Sequence, residues 1–297
     1  MLTSPKVLIQ QLKALADLTR MRLIALCRQG ECSVSELTEV TGESQPRISQ
    51  HLRTLCDTGL LVRHRDGKRV YYRVPSRGSD LALRSQLLGL IPEQDRVFED
   101  DRDRLRELRG GHLKPDANPH TSSDAERAVY RVIIDLTVTA PIGSLLDVGC
   151  GRGQLLKLLA SRATRAVGVD IDAGARQLAR ADLMLAGVPN CSLRKGDMYQ
   201  LPFADHEFDT IILDDVVGDA KYPVRVLKEA RRLLKPGGRM FLLLSVADRS
   251  ASDLQERLAR WSAAAALRLS PARITTQKNP NWMLAVATAV DSHSEAA

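Results

Sequence analysis

Residues 144–172 limit what this chain can become more than any other stretch. Leu145 to Val148 form a short apolar run, Gly149, Gly151 and Gly153 allow a sharp turn with bare backbone N–H groups, and Gln154 to Leu159 starts a helix. Ala166 to Val169 reads as a second strand and ends on Asp170. Strand, glycine turn, helix, strand is one nucleotide-binding unit. The helix N-terminus faces whatever the turn holds, and a carboxylate at the tip of the second strand meets the hydroxyls of a ribose. Asp170 follows Gly149 by 21 residues, about the spacing this geometry requires.

A dinucleotide fingerprint would place its third glycine at position 154, which is Gln. The spacing here is Gly-x-Gly-x-Gly, preceded by Asp147. Downstream, a predicted strand Cys191–Lys195 runs into Gly196-Asp197-Met198, Leu201-Pro202-Phe203 precedes Phe208-Asp209, and a predicted helix Val224–Leu234 stops at Lys235-Pro236-Gly237-Gly238. This set resembles the class I S-adenosylmethionine-dependent methyltransferases, strongly over residues 145–245 and by topology beyond. A glycine-rich loop in some other α/β protein is the plain alternative. The resemblance implies a Rossmann-like domain with S-adenosylmethionine or S-adenosylhomocysteine as ligand, held by Asp147, Gly149, Gly151, Gly153, Asp170, Ile171, Asp197, Met198 and Asp214. Catalytic residues stay unassigned. Asp214 and Asp215 follow the fourth predicted strand, Thr210–Leu213, where acceptor groups sit in the family, and loop acids that hold ligand or cap a helix would look the same.

Helical periodicity dominates the amino-terminal part. Apolar residues from Val7 to Leu26 recur at helical spacing with a break near Asp17-Leu18-Thr19, and Ser33 with Glu36 forms a capping box. Thr41-Gly42-Glu43 is a tight turn before a second helix, Gln45–Asp57. Ile48, Leu52 and Leu55 share one face of that helix, so Gln50 and Arg53 point the other way, with Gln45 at its start and Arg47 and Ser49 on the flanks. Side chains of this kind reach base edges and phosphates in a major groove, and a merely solvated face would have similar composition. Asp66-Gly67 between two alternating runs is a strong hairpin signal, with Arg63, Arg65, Lys68 and Arg69 around its tip as a phosphate clamp.

Residues 10–74 resemble the ArsR/SmtB winged helix-turn-helix repressors. The match rests on Leu15-Ala16-Asp17-Leu18-Thr19-Arg20, Ser44-Gln45-Pro46-Arg47-Ile48-Ser49-Gln50-His51-Leu52 and Asp66-Gly67-Lys68-Arg69-Val70-Tyr71-Tyr72. The family implies a homodimer and double-stranded operator DNA as partner, read by Gln45, Arg47, Ser49, Gln50 and Arg53 and clamped by Arg65, Lys68 and Arg69. The metal-sensing members carry Cys-Val-Cys where this chain has Ser33-Val34-Ser35, so no metal is expected. Cys27, Cys32 and Cys56 would be structural thiols rather than a soft-metal trio.

At 297 residues, two domains are the prior. The boundaries expected are 1–92 for the winged helix, mostly α with a β-hairpin wing, 93–123 for a charged helix and flexible linker, and 124–297 for the methyltransferase-like domain. The class is α/β overall. Charge is concentrated at the start: residues 1–74 hold 12 Lys and Arg against 7 Asp and Glu, which suits a polyanionic partner. Five cysteines without paired spacing, and no apparent signal peptide, point to the cytoplasm, and no apolar run approaches the roughly 18 residues that span a bilayer.

Together these features lead to a transcriptional regulator whose methyltransferase-like domain senses S-adenosylmethionine or S-adenosylhomocysteine. It is similar to the ArsR-type regulators that respond to the latter and control methionine-cycle genes. The alternative is an active methyltransferase that its winged helix targets to DNA. Residues 110–128 contain no Phe, Tyr or Trp to serve as a lid over the donor, which weighs against the enzyme.

Overall fold

The computed structural model describes residues 4–76, 78, 81–110, 124–138, 140–246, 250–271, 273–274 and 282–290. By its internal contacts the chain divides into two compact units, Met1–Lys114 with Gln177–Ser192, and Pro115–Arg176 with Leu193–Ala297. The part of the predicted linker that follows Gly110, from 111 to 123, lies outside the described residues, as do His112 and His120.

The first unit opens with α1 (Pro5–Leu15) and α2 (Leu18–Arg28), separated where Asp17 caps the second by accepting from Arg20 N–H at 2.9 Å. A short β1 (Cys32–Ser33) leads into α3 (Val34–Thr41), whose capping box is complete: Ser33 accepts from Glu36 N–H, and Glu36 accepts from Ser33 N–H at 2.7 Å. The position that carries cysteine in the metal-sensing relatives is thus a helix cap. Gly42, in the left-handed region, ends α3 and turns the chain into α4 (Gln45–Asp57). Ser44 occupies the N-cap position of α4 but its side chain makes no capping bond.

The hairpin follows as β2 (Val62–Asp66) and β3 (Arg69–Arg73), with Asp66 paired to Arg69. The tight turn is therefore Gly67-Lys68, one residue later than Asp66-Gly67. Asp66 belongs to the strand because its carboxylate is turned inward and buried, where Arg180 donates to it at 2.6 Å.

Helices α5 (Leu81–Gly89) and α6 (Arg96–Gly110) complete this part of the unit. The acid and arginine content of α6 suggests a solvated arm, yet Phe98, Asp101, Leu105 and Arg109 form a buried stripe at helical spacing. Polar residues hold two of those four places because each finds a charged partner. Arg22 donates twice to Asp101, both at 2.7 Å, and Arg109 donates to Glu36 at 2.8 Å. Leu23, Leu26, Leu37, Ile48, Leu52 and Leu105 fill the core beneath.

The second unit begins with α7 (Asp124–Val138) and alternates thereafter: β4 (Ser144–Val148), α8 (Gln154–Leu159), β5 (Arg165–Asp170), α9 (Ala173–Leu185), β6 (Cys191–Lys195), β7 (Phe208–Asp214), α10 (Pro223–Leu233) and β8 (Leu234–Ser245). Then come α11 (Ala251–Ala264), β9 (Leu267–Leu269), β10 (Arg273–Ile274) and β11 (Trp282–Ala289). The carboxy-terminal part of α9 and β6's first two residues fall in the first unit by the division above. The predicted stop Lys235–Gly238 lies inside β8, which starts at Leu234; Gly237, left-handed, lets the strand bend there without breaking. β9 has no counterpart in the sequence-based expectation, being too short for a periodicity to show.

The strands form one sheet in the order β10-β11-β8-β7-β4-β5-β6, with β9 on β11. β4 runs parallel to β5 on one side and β7 on the other, and β11 is antiparallel to β8. A parallel strand whose neighbours lead away on both sides opens a crevice at its carboxyl end, the usual ligand position in open α/β sheets. Leu146, Val167, Ile211, Leu213, Leu242 and Phe208 form part of the core that fixes those strand ends.

Candidate functional site: a glycine turn ringed by acids, and a basic helix and wing

The turn after β4 is built from three left-handed glycines, at φ 74° for Gly149, 50° for Gly151 and 74° for Gly153. A side chain at 149 would place its Cβ 2.2 Å from Val216 Cγ1, so glycine there is required by packing as well as by φ. At Gly151 a Cβ would meet nothing within 4 Å, leaving open space above the bare backbone. Gly149 and Cys150 both donate to the carbonyl of Val169, which ties the turn to the end of β5.

Asp170, at that strand end, accepts from Gly151 N–H at 2.8 Å through one oxygen and from Asp172 N–H at 2.8 Å through the other. Each oxygen keeps a second lone pair for a hydroxyl donor. Ile171 beside it is 69% exposed, a large apolar side chain at the mouth of the crevice. Asp197 accepts from Tyr199 N–H at 3.0 Å, next to Met198, and Gly196 cannot carry a side chain because Val169 would lie 2.4 Å from it.

Asp147 lies beneath the turn, 1% exposed, and its Oδ1 is buried with no hydrogen-bond partner among the described residues. Burial first, then the charges of Asp214 and Asp170, push its carboxyl well above the usual carboxylate range. The same surroundings push the Cys150 thiol up, by burial and by Asp147 and Asp170. Asp214 accepts from Tyr130 O–H at 3.4 Å, and Asp215, left-handed at φ 54°, accepts from Ser245 N–H at 2.9 Å. Asp215 thus ties the carboxyl ends of β7 and β8 together through a strained backbone.

Two residues here escape the sequence-based selection. Tyr130, on α7, reaches Asp214 from two residues beyond 110–128, the stretch that has no aromatic residue. Arg176, on α9, donates to the carbonyl of Asp170 at 2.9 Å, and its only signal would have been an arginine in the first turn of the helix that follows the acid.

In the first unit Gln45, Arg47, Ser49, Gln50 and Arg53 are all exposed along α4, while Ile48, Leu52 and Leu55 are buried. Arg47 is held by Glu43 at 2.8 Å, one turn back. At the wing, Arg65, Lys68 and Arg69 are exposed; Arg65 donates to the carbonyl of Gly67 at 3.0 Å and Arg69 to Gln177 at 3.4 Å. Exposed Gln, Arg and Ser beside a cationic hairpin fit a major groove flanked by phosphates. Among the described residues no group of three or more His, Cys, Asp or Glu could hold a metal ion, and no helix is long and apolar enough to cross a membrane.

Known proteins match these two sites separately. The model of the bacterial regulatory protein arsR family matches residues 17–62, and that of a methyltransferase domain matches 146–242. A probable mercury resistance operon repressor of Streptomyces lividans is 39% identical over 87 residues, 29% of this chain and 70% of that one. The chain belongs to the arsR family of bacterial regulatory proteins. This ArsR-family protein carries a methyltransferase domain in addition, and a demethylmenaquinone methyltransferase of Symbiobacterium thermophilum is 31% identical to it over 118 residues, 38% of this chain and 47% of that one. It spans from about a third to 70% of the length of the curated relatives it matches. Among solved structures, the [4+2]-cyclase SpnF shares the fold with a TM-score of 0.50 and 18% identity, over 62% of this chain and 91% of that one. That protein is a cyclase, so the fold by itself does not specify methyl transfer.

Proposed function

We propose that this ArsR-family regulator binds S-adenosylmethionine or S-adenosylhomocysteine in its methyltransferase domain and uses that ligand as an effector of DNA binding, controlling methionine-cycle or methylation genes. The observation that carries the reading is the setting of Asp147. A buried carboxyl with an orphaned oxygen, beside Asp170 and Asp214 and under a bare glycine turn, suits a ligand that brings both hydroxyl donors and a positive charge. Both adenosyl ligands have a ribose diol and an α-ammonium group. Asp170 would take the ribose hydroxyls, Asp197 the adenine amino group beside Met198 and Ile171, and the glycine turn, whose N–H groups at 149, 150, 151 and 153 are already used within the fold, would pack against the amino acid part. Gly151 leaves the room.

The protein acts as a cytoplasmic homodimer on a two-fold operator, with α4 in the major groove and the wing on the backbone. Five free cysteines, four of them buried, support a reducing compartment. An active methyltransferase is the second reading, favoured by the left-handed Asp215 next to Asp214, since strained backbone gathers at reactive sites. Isothermal titration of each adenosyl ligand, with and without DNA selected by the protein from a random pool, decides. A sensor shows ligand affinity shifted by DNA and DNA affinity shifted by ligand, by the same factor of about 5–150. Equal affinities in both conditions would remove the sensor, and steady methyl transfer to an acceptor would install the enzyme.

A further inference from the structure

Helix α10 and the residue pair before it present cations to solvent. Lys221, Arg225 and Lys228 are exposed and Arg231 half-buried along one broad side, while Val226, Leu227, Ala230 and Leu233 are buried on the other. Among the described residues none of the four makes an ion pair. The acids nearby are engaged elsewhere. Glu229 accepts from Leu201 N–H at 2.7 Å and from Arg232 at 2.8 Å, and Asp205 accepts from Arg232 at 2.6 Å.

The placement of these charges is against helix electrostatics. Cations suit the last turn of a helix, where Arg231 and Arg232 stand, and are disfavoured at its amino end. Lys221 and Arg225 stand at that amino end, and the first turn carries no acid to offset them. Instead they are steadied by aromatic rings. Lys221 Nζ lies 5.2 Å from the centre of Tyr222, and the Arg225 guanidinium lies 5.4 Å from Tyr199 and 5.6 Å from Tyr222, in an edge-packed tyrosine pair with Tyr222 45% exposed. Such rings hold a cation in position without neutralising it. Lys228 and Arg231 continue the charge into an open cavity of about 660 Å³, beside His206 and Lys235.

We infer that this face of α10 is a second nucleic-acid contact, taking the phosphodiester backbone of duplex DNA that flanks the site read by α4. Arg225 to Arg231 span roughly 9 Å of helix, over which one DNA strand presents two or three charges. Side chains that carry charge without base-reading geometry contribute affinity rather than specificity. The inference rests on the DNA-binding reading above, and a short duplex tests that reading by itself.

The test uses the full chain and the Lys221→Gln/Arg225→Gln/Lys228→Gln/Arg231→Gln variant. Fluorescence anisotropy is followed against salt on a selected duplex of about 20 base pairs, and on the same duplex with about 15 further base pairs on each side. On the long duplex the variant loses at least tenfold in affinity at low salt and its salt slope falls by about 0.9 per lost contact, hence by roughly 2–4. On the short duplex it matches the parent. Equal losses on both lengths, or none on either, overturn the inference. Saturable binding of inorganic pyrophosphate by the parent alone, with no difference on DNA, also overturns it and gives the face to a small anion. If the fourfold variant melts early by circular dichroism, Arg225→Gln/Lys228→Gln replaces it and is expected to lower the slope by about half as much. A parent that binds neither duplex fails the DNA-binding reading, and this inference falls with it.

Discussion

The two units treat buried acid in opposite ways. In the first, four buried or half-buried carboxylates face an arginine: Asp101 faces Arg22, Glu36 faces Arg109, and Asp66 and Glu31 face Arg180. Burial alone would push the Glu36 carboxyl up, but Arg109 and Ser33 hold it below its usual range. At the strand ends of the second unit the acids face backbone amides, a tyrosine and one another, and Asp147 is driven the other way. Arginine-paired acids are complete as they stand and belong to the architecture. The Asp147 carboxyl, raised by burial and by its neighbours' charges, carries a cost in the ligand-free state, and that cost is what a ligand with donors and positive charge can relieve.

The largest expected effect breaks the first half of this contrast. Arg109→Ala leaves Glu36 half-buried without its guanidinium and should destabilise the protein by about 3–5 kcal/mol, as removal of one partner of a buried pair does. Chemical denaturation monitored by circular dichroism measures it. A loss under about 1 kcal/mol would mean that water replaces the arginine, and that the first unit's pairing is not structural.

A smaller effect probes the second half. Asp170→Ala should abolish or greatly weaken binding of S-adenosylhomocysteine while α4 and the wing still bind DNA. Each lost charge-assisted bond to a hydroxyl is worth roughly 1.5–3 kcal/mol. Calorimetry on the variant checks this, and parental affinity would move the ligand away from the glycine turn.

The smallest effect has the opposite sign, which makes it the sharpest. Asp147→Asn replaces an ionisable carboxyl in a crowded set by a neutral amide and should stabilise the ligand-free protein by up to about 1 kcal/mol at neutral pH. The folded pKa is raised, so the folded state keeps its proton where the unfolded chain has already lost it. The destabilisation therefore grows as pH rises above about 4, the ordinary carboxyl value, and is absent below it. Thermal melts at pH 4 and pH 7 should show variant and parent alike at the lower pH and the variant ahead at the higher. A variant that melts below its parent at both would make Asp147 a structural hydrogen-bond acceptor instead.

What the sequence disclosed follows from how local each signal is. The glycine turn, Asp170 and the capping box of Ser33 and Glu36 are contained within a few residues or one strand–helix–strand passage, so spacing alone placed them. The buried stripe of α6 was hidden because Asp101 and Arg109 look like surface residues until Arg22 and Glu36, far away in the chain, are brought to them. Asp66 appeared to be a turn residue for the same reason: its partner Arg180 is 114 positions away. Tyr130 is on a helix that no motif marks, and its link to Asp214 depends on how α7 packs. Long-range polar pairs are written in two places at once, and a pattern read in one place misses them.

The first unit takes in Gln177–Ser192, a segment encoded in the middle of the methyltransferase region. Arg180, from that segment, stacks 3.9 Å over the ring of Tyr71 and donates to Asp66 and Glu31. A gene fragment ending at codon 114 would thus encode a DNA-reading module short of one of its own helices. Recombination at the junction between the two matched regions would leave Asp66 and Glu31 without the guanidinium of Arg180. In this chain the wing has come to lean on a helix that its own region does not encode.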